Sequence, residues 1–582
     1  MKCFLRPFII LSIAALALPV FGHINPEMHP VNVPEDAKVG LRSDCAQSTG
    51  QIDQNINNVR ARLLNGGDVW WDLQDGKYVV PNVDPASGIP EVSSIFAGAV
   101  WIGGFDDVGN LKMAAQTYRG STRTDFWPGP LTNVGTTAAD TCLQWDRFFR
   151  VLGENIRAHL RAFNEARELG IALDCDAIPE DIRGWPGKGN PYFFEINGWT
   201  LPFDTQGLGA FHDEDKDGLY DPCQGDYPVI EVRGCDAPNF PDEMIFWIYN
   251  DNGNIHTNSQ GDPIRMEVQV QAFAYATNDE LNDMTFQRYK LINRATSIID
   301  SCFFAMWIDP DLGCYTDDYI GCDTARSLMY VYNEDELDGD PGCDCLGGVN
   351  TYCREVPILG VDYFRGPRAP AAFCDTVPLN WIPTEDIIDI TSDMIISDST
   401  RYVCGERRTE LGMSSFTYYM NGGIGNWPNA MTDPQPGAPL EFYRYISGSW
   451  KDGTPFSAGG SGYNIPPTQV IDYAFPDAPN DQAGWSMCTA NLDFGDRRTL
   501  QATGPLRLDP GEVNELIIGV PWVPDLDYPC PDITRLLSAD GLAQALFDNC
   551  FEVPDGPDAP DLDFIELDRE LVMILTNDTV TS

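Results

Sequence analysis

The residues best placed to do chemistry lie in one nine-residue stretch, Asp213-Glu214-Asp215-Lys216-Asp217-Gly218-Leu219-Tyr220-Asp221. Calcium is a hard cation that takes six to eight oxygens at about 2.3–2.6 Å. Asp213, Asp215 and Asp217 stand at positions 1, 3 and 5 of a loop that can converge on one point. Gly218 at position 6 permits the sharp turn, the Leu219 carbonyl supplies an oxygen at position 7, and Asp221 fills position 9. A full EF-hand has Glu at position 12; here that residue is Gln224, so Asp226 or a remote carboxylate is expected to complete the shell. The expected ion is Ca2+. Its expected role is structural, because four or five carboxylates crowded without an ion repel one another and open the loop.

A second acidic group, Asp309, Asp311, Asp317, Asp318 and Asp323, falls in DPDLGCYTDDYIGCD. Its spacing matches no standard loop. Two readings stay open: a second cation site, or a hydrogen-bonded loop pinned by disulfides. The run 333–340 is expected to be a solvated loop.

Signatures of nucleophilic, zinc-peptidase, P-loop or dinucleotide chemistry do not occur in the sequence. The five histidines are scattered, and His256 lies in an expected turn. A glycosidase needs only two carboxylates about 5–10 Å apart, and 87 acidic residues point to no particular pair. Trp70, Trp71, Trp427 and Trp450 could stack on sugars if exposed, although tryptophans in a β protein more often build core.

These residues must be held by a scaffold, and the sequence describes it. Lys2 and Arg6 precede an apolar run over residues 8–20, followed by Val20-Phe21-Gly22. That arrangement is expected for a cleaved export signal over residues 1–22, and no later stretch is apolar enough to span a bilayer. The chain has 582 residues and a formal charge of −50, a field that repels nucleic acid and anionic membranes and attracts cations. Seventeen cysteines, all but Cys3 beyond the signal, favour disulfides over zinc in an exported protein.

Mainly β structure is expected: antiparallel β-sandwich domain(s) with one helical insertion and the aspartate calcium loop. Runs at 94–103 and 111–118 flank an Asp/Gly/Asn turn and read as a hairpin. Residues 244–249, 266–276, 284–292 and 301–308 are rich in β-branched and aromatic types, as are the later runs 415–420 and 514–520. In the second, Val268, Val270, Ala272 and Ala274 alternate with Gln269, Gln271, Phe273 and Tyr275, the period of a sheet. Phe148, Leu152, Ile156, Leu160 and Phe163 form a helical stripe that Gly170 ends. Arg147, Arg150, Arg157, Arg161 and Arg167 make this the one basic segment, and they are expected to pair with the chain's own carboxylates. The expected organisation is a signal at 1–22, an N-terminal β region at 40–140 and the helical insertion at 141–185. The calcium loop at 205–228, the main β-sandwich region at 229–530 and a short helical segment at 531–553 follow. Residues 554–582 are expected to be a linker and the start of an incomplete β module.

The stretches NNVRARLLNGGDVWWD, SIFAGAVWIGG, DKDGLYDPCQGDYP, WIDPDLGCYTDDYIGCD and DRRTLQATGPLRLDPGE, among others over residues 57–575, resemble large secreted proteins of Bacteroidota associated with type IX secretion. Members of that group continue into further β-sandwich modules and a C-terminal sorting domain, where this sequence stops in the strands after PDGPDAPDL. The resemblance implies an extracellular or cell-surface location and calcium-bearing loops, and it implies no activity. The expected function is therefore a calcium-stabilised structural, adhesion or surface protein without evident catalysis. The alternative is a secreted carboxylate-dependent glycan hydrolase or glycan-binding protein. Calcium ions are the expected partners, with glycans or other surface proteins left open.

Overall fold

The computed structural model describes residues 44–120, 123–202, 208–235, 240–384, 386–423, 425–466, 469–492, 495–524, 526–551, 561–567 and 570–576. The expected signal at 1–22, His23, His29, the start of the 205–228 segment and the 554–560 joint lie outside these residues.

Antiparallel pairing dominates. Two nine-stranded sheets face each other. The first runs in the order Gln51–Gln54, Arg60–Leu64, Asp68–Val69, Ala97–Asp106, Ile299–Asp309, Arg497–Leu508 and Ser415–Met420, with short strands added at two points. The second runs Asp318–Asp323, Leu328–Asn333, Ile358–Arg365, Val513–Val523, Met284–Asn293, Met266–Ala274, Glu243–Asn250 and Trp127–Pro128, with Phe149–Leu152 as a ninth strand beside Glu243–Asn250. Strands distant in sequence are therefore neighbours: Met306 pairs with Val100 on one side and Gln501 on the other. The expected hairpin forms, Trp101 pairing with Ala115 and Phe105 with Leu111. The sheets meet through apolar side chains and a few shared polar groups. The Tyr289 and Phe304 rings lie 5.7 Å apart, and the Tyr363 hydroxyl accepts from the Met306 N–H at 3.3 Å while donating to the Gln501 carbonyl at 2.5 Å.

The alternation in Met266–Ala274 sets strand type correctly but does not mark a wet face, because every residue of this strand is buried. The segment that includes the helix Gly153–Leu169 packs over that polar face. Gln271 donates to the Val229 carbonyl at 2.9 Å, and Trp185 packs on Phe246. Charge buried there is paired: the Arg294 guanidinium forks onto Glu267 with two 3.1 Å bonds.

The helix stripe needs one correction. Phe149–Leu152 is a strand paired with Glu243–Phe246, and the helix starts at Gly153. Spacing alone cannot separate the end of an amphipathic strand from the first turn of a helix; the open edge of Glu243–Asn250 decides it. Gly170, at φ 64°, closes the helix as expected. Of the basic residues, Arg150 pairs with Glu243 at 2.6 Å, Arg157 with Asp242 at 3.0 Å and Arg167 with Glu214 at 3.1 Å, whereas Arg147 lies over the Trp199 ring.

Seven disulfides tie the fold, from Cys343–Cys353 across ten residues to Cys235–Cys550 across 315. Cys314–Cys345 joins the group Cys302, Cys314 and Cys322 to the group Cys343, Cys345 and Cys353. Among the described cysteines, only Cys302 and Cys322 are free; both are buried, and burial raises their thiols, Cys302 to about 12. A separate three-stranded arm, Arg368–Pro378, Ile387–Ile395 and Thr400–Glu410, is stapled by Cys374–Cys404 and exposes Met394, Ile395 and Ile396. The helix Thr534–Asp548 packs through Phe547 on Phe364, and Asp561–Leu567 pairs with Glu570–Thr576 as a two-stranded ribbon. Among the described residues no helix is long and apolar enough to cross a membrane.

Candidate functional site: an acidic loop and an acidic cleft

The aspartate loop closes on itself through its own backbone. Asp213 Oδ1 accepts from the Lys216 and Asp217 N–H groups at 2.7 and 3.2 Å, and Oδ2 accepts from Gly218 at 2.7 Å. Asp217 Oδ1 accepts from Leu219 at 2.7 Å. Gly218 sits at φ 78°, a conformation that costs glycine least. The outcome is convergence: one oxygen each of Asp213, Asp215 and Asp217 lies within 4.8 Å of the others. Asp226 takes a different place. It is buried, and its two oxygens accept from Glu214 at 2.9 Å and Asp221 at 2.7 Å, so it braces both ends of the loop. Burial lifts its carboxyl to about 6. Asp221 Oδ1 caps the short turn at Pro222–Gln224 through the Cys223 N–H at 2.9 Å, and the Leu219 side chain is exposed.

The second acidic group is divided by the fold into three parts. Asp323 accepts from Ala325 and Arg326 and caps a turn. Asp317 and Asp318 join Asp338, which is fully buried, whereas Asp335, Glu336 and Asp340 of the same 333–340 loop are exposed as expected. The Asp338 oxygens accept from Cys314 at 2.8 Å and Tyr352 at 2.5 Å, while Asp317 accepts from Gly339 at 2.7 Å and Asp318 from Leu312 at 2.8 Å. Burial raises all three carboxyls, Asp317 to about 6 and Asp338 to about 7. Cys314 lies beside them, but its sulfur is bonded to Cys345 and cannot ligate a metal. These side chains act as braces for the loop around the cystines.

Asp309 and Asp311 form the third part. Asp309 ends the strand Ile299–Asp309, and the neighbouring strand delivers Asp496 and Arg498 beside it. One oxygen each of Asp309, Asp311 and Asp496 lies within 4.8 Å of the others. Arg498 threads the group: its Nε donates to the Tyr118 hydroxyl at 2.8 Å and lies 3.4 Å from Asp309 Oδ1, and Nη1 contacts Asp496. Tyr118 donates to Asp309 Oδ2 at 2.5 Å, and Asn421 donates to Asp496 Oδ2 at 2.8 Å. Burial pushes Asp309 up to about 7 against the pull of Arg498, and it raises Asp311 and Asp496 as well.

These groups floor a cleft of about 670 Å³, within the range of small-molecule sites. Trp71, Phe96 and Tyr118 line one side as a ring cluster with centroids 5.8–6.3 Å apart. The loop at 347–350 lines another, held by Cys314–Cys345 and Cys343–Cys353. Trp71 is buried in the fold yet lines this cleft, while Trp70 and Trp450 are core and Trp427 is partly exposed. Sequence reasoning missed Asp496, Arg498 and Tyr118. The available signal was the Asp496-Arg497-Arg498 triplet opening an alternating strand.

The fold and the two acidic sites define the class: a disulfide-tied, mainly antiparallel β-sandwich protein. No protein-family model matches the chain, and no curated protein matches it.

Proposed function

We propose that this is an extracellular calcium-stabilised structural or surface protein, with Asp213, Asp215, Asp217, the Leu219 carbonyl and Asp221 as the calcium loop. One observation carries the reading: the convergence of three carboxylates in an exposed, self-closed turn. Seven disulfides support an oxidising compartment. An ion bound only by the folded chain stabilises it by mass action, about 2.7 kcal/mol at a hundredfold excess over Kd. Chelation is therefore expected to lower the melting temperature by several degrees, read by calorimetry with and without calcium. Asp215→Ala combined with Asp217→Ala should melt like the chelated protein and lose its response to chelator. A double variant that still responds like the parent would place the ion elsewhere.

A second reading, a protein that binds or cleaves glycans, is favoured by the cleft, where carboxyl groups face an aromatic wall. A glycan panel with product analysis separates the two. Release of reducing ends that is lost in Asp311→Asn would make the protein a hydrolase.

A further inference from the structure

We propose that the floor of this cleft recognises a primary ammonium group carried on a small alkyl or saccharide body. The inference goes beyond the calcium reading and does not depend on it.

Charge and unused bonding capacity carry the argument. Three carboxylates, Asp309, Asp311 and Asp496, meet a single guanidinium, Arg498. The two oxygens of Asp496 are engaged by Arg498 and Asn421, and Asp309 Oδ2 by Tyr118. Asp309 Oδ1 is closed off: it is ion-paired with Arg498 Nε at 3.4 Å and sealed from the cleft. Neither oxygen of Asp311 accepts a hydrogen bond from any described residue, although the side chain lines the cleft. Asp311 thus brings two acceptors to the cleft that no described residue satisfies, so this part of the floor is placed to receive donors.

An ammonium suits it better than calcium does. Calcium wants six to eight oxygens, and only the two of Asp311 lack a partner here; an ammonium carries three N–H donors and is satisfied by fewer acceptors. Arg498 already sits in the cluster and repels a dication more than a monocation. The aromatic wall adds the rest. Ring faces attract a cation within about 6 Å, and the Trp71 ring is fixed by its N–H donating to Asp68 at 2.9 Å. A cation replaces the protons that burial leaves on these carboxyls, which an anion cannot do.

The test is titration calorimetry on the full chain in excess calcium, with glucosamine, cadaverine, the N-acetylated form of each, and calcium alone as probes. At least one free amine is expected to bind. Acetylation should weaken binding at least about tenfold, because it removes the charge-assisted bonds. Asp311→Asn should do the same without lowering the melting temperature. Preference for glucosamine assigns a saccharide body, and preference for cadaverine an alkyl one. The proposal is overturned if neither amine binds, if the acetylated forms bind equally, or if Asp311→Asn leaves amine binding unchanged. It is also overturned if calcium alone occupies a site that Asp311→Asn removes. Should Asp311→Asn fail to fold, the comparison of free and acetylated amines on the parent chain decides. The variant Asp215→Ala with Asp217→Ala should keep its amine binding, which separates failure here from failure of the calcium loop.

Discussion

In calcium-free buffer the protein is expected to melt at a higher temperature near pH 5 than near pH 8, by on the order of 10 °C. The cause is an unusual set of buried carboxyls. Asp338 and Asp317 are lifted by burial to about 7 and about 6. Asp362 is raised by burial and by its neighbour Asp540, whose carboxyl is 2.9 Å from Arg326. A carboxyl whose folded value lies above its unfolded value holds its proton longer in the folded chain. Stability is then greatest below about pH 4–5 for these groups and falls as pH rises through about 6–7. One carboxyl moved from 3.8 to about 7 costs on the order of 4 kcal/mol when fully ionised, a large share of a protein's net stability. Glu515 and Glu231 act in the opposite sense. Arg288 and its neighbours hold both below the usual range despite burial, so their contribution is lost only below about pH 4. Calorimetry across pH in chelator checks the result. A melting temperature that rises steadily from pH 5 to pH 8 would show that these carboxyls ionise freely in the folded chain.

The second large effect is expected at His256. Its ring is buried, and both nitrogens face carbonyl oxygens, Nδ1 to Met113 at 2.8 Å and Nε2 to Asp251 at 2.6 Å. Two acceptors require two N–H groups, so the ring is an imidazolium. Burial alone would lower its pKa, but Asp125 and Asp251, each 3.8 Å away, bring it above its ordinary value. The carboxylates hold backbone in turn: Asp125 accepts from Ala115 and Asn258, and Asp251 from Ile264 and Met266. His256 thus clamps the loop between two strands of the second sheet to Met113 of the first. His256→Gln leaves two buried carboxylates uncompensated and is expected to cost about 3–5 kcal/mol, read as a fall in the denaturation midpoint at unchanged slope. The contribution of the charge is complete below about pH 6.5 and lost above the raised folded value. A midpoint shift below about 1 kcal/mol would mean that the ring is neutral in the fold.

Much of this is legible in the sequence itself. Local signals worked where chemistry and geometry are both local. The strands Met266–Ala274 and Ser415–Met420 follow from β-branched and aromatic runs, and the turn at Asp213–Gly218 from aspartates at alternate positions. Legibility ended where a residue's meaning is set by a distant partner. Asp309 is one ordinary acid among 87 until the pairing of Ile308 with Thr499 brings Arg498 to it. His256 looks like a turn residue until Met113 faces it. Gln269 and Gln271 look solvated until the segment around Val229 covers them.

The position of two late strands has a consequence for how the molecule is born. Val513–Val523 lies between Ile358–Arg365 and Met284–Asn293, and Arg497–Leu508 between Ile299–Asp309 and Ser415–Met420. Neither sheet can be completed before those residues have been synthesised. The earlier strands must wait with open edges, the condition under which chains stick to one another. Non-local pairing of this kind predicts slow closure of both sheets, with self-association as the competing event until the late strands arrive.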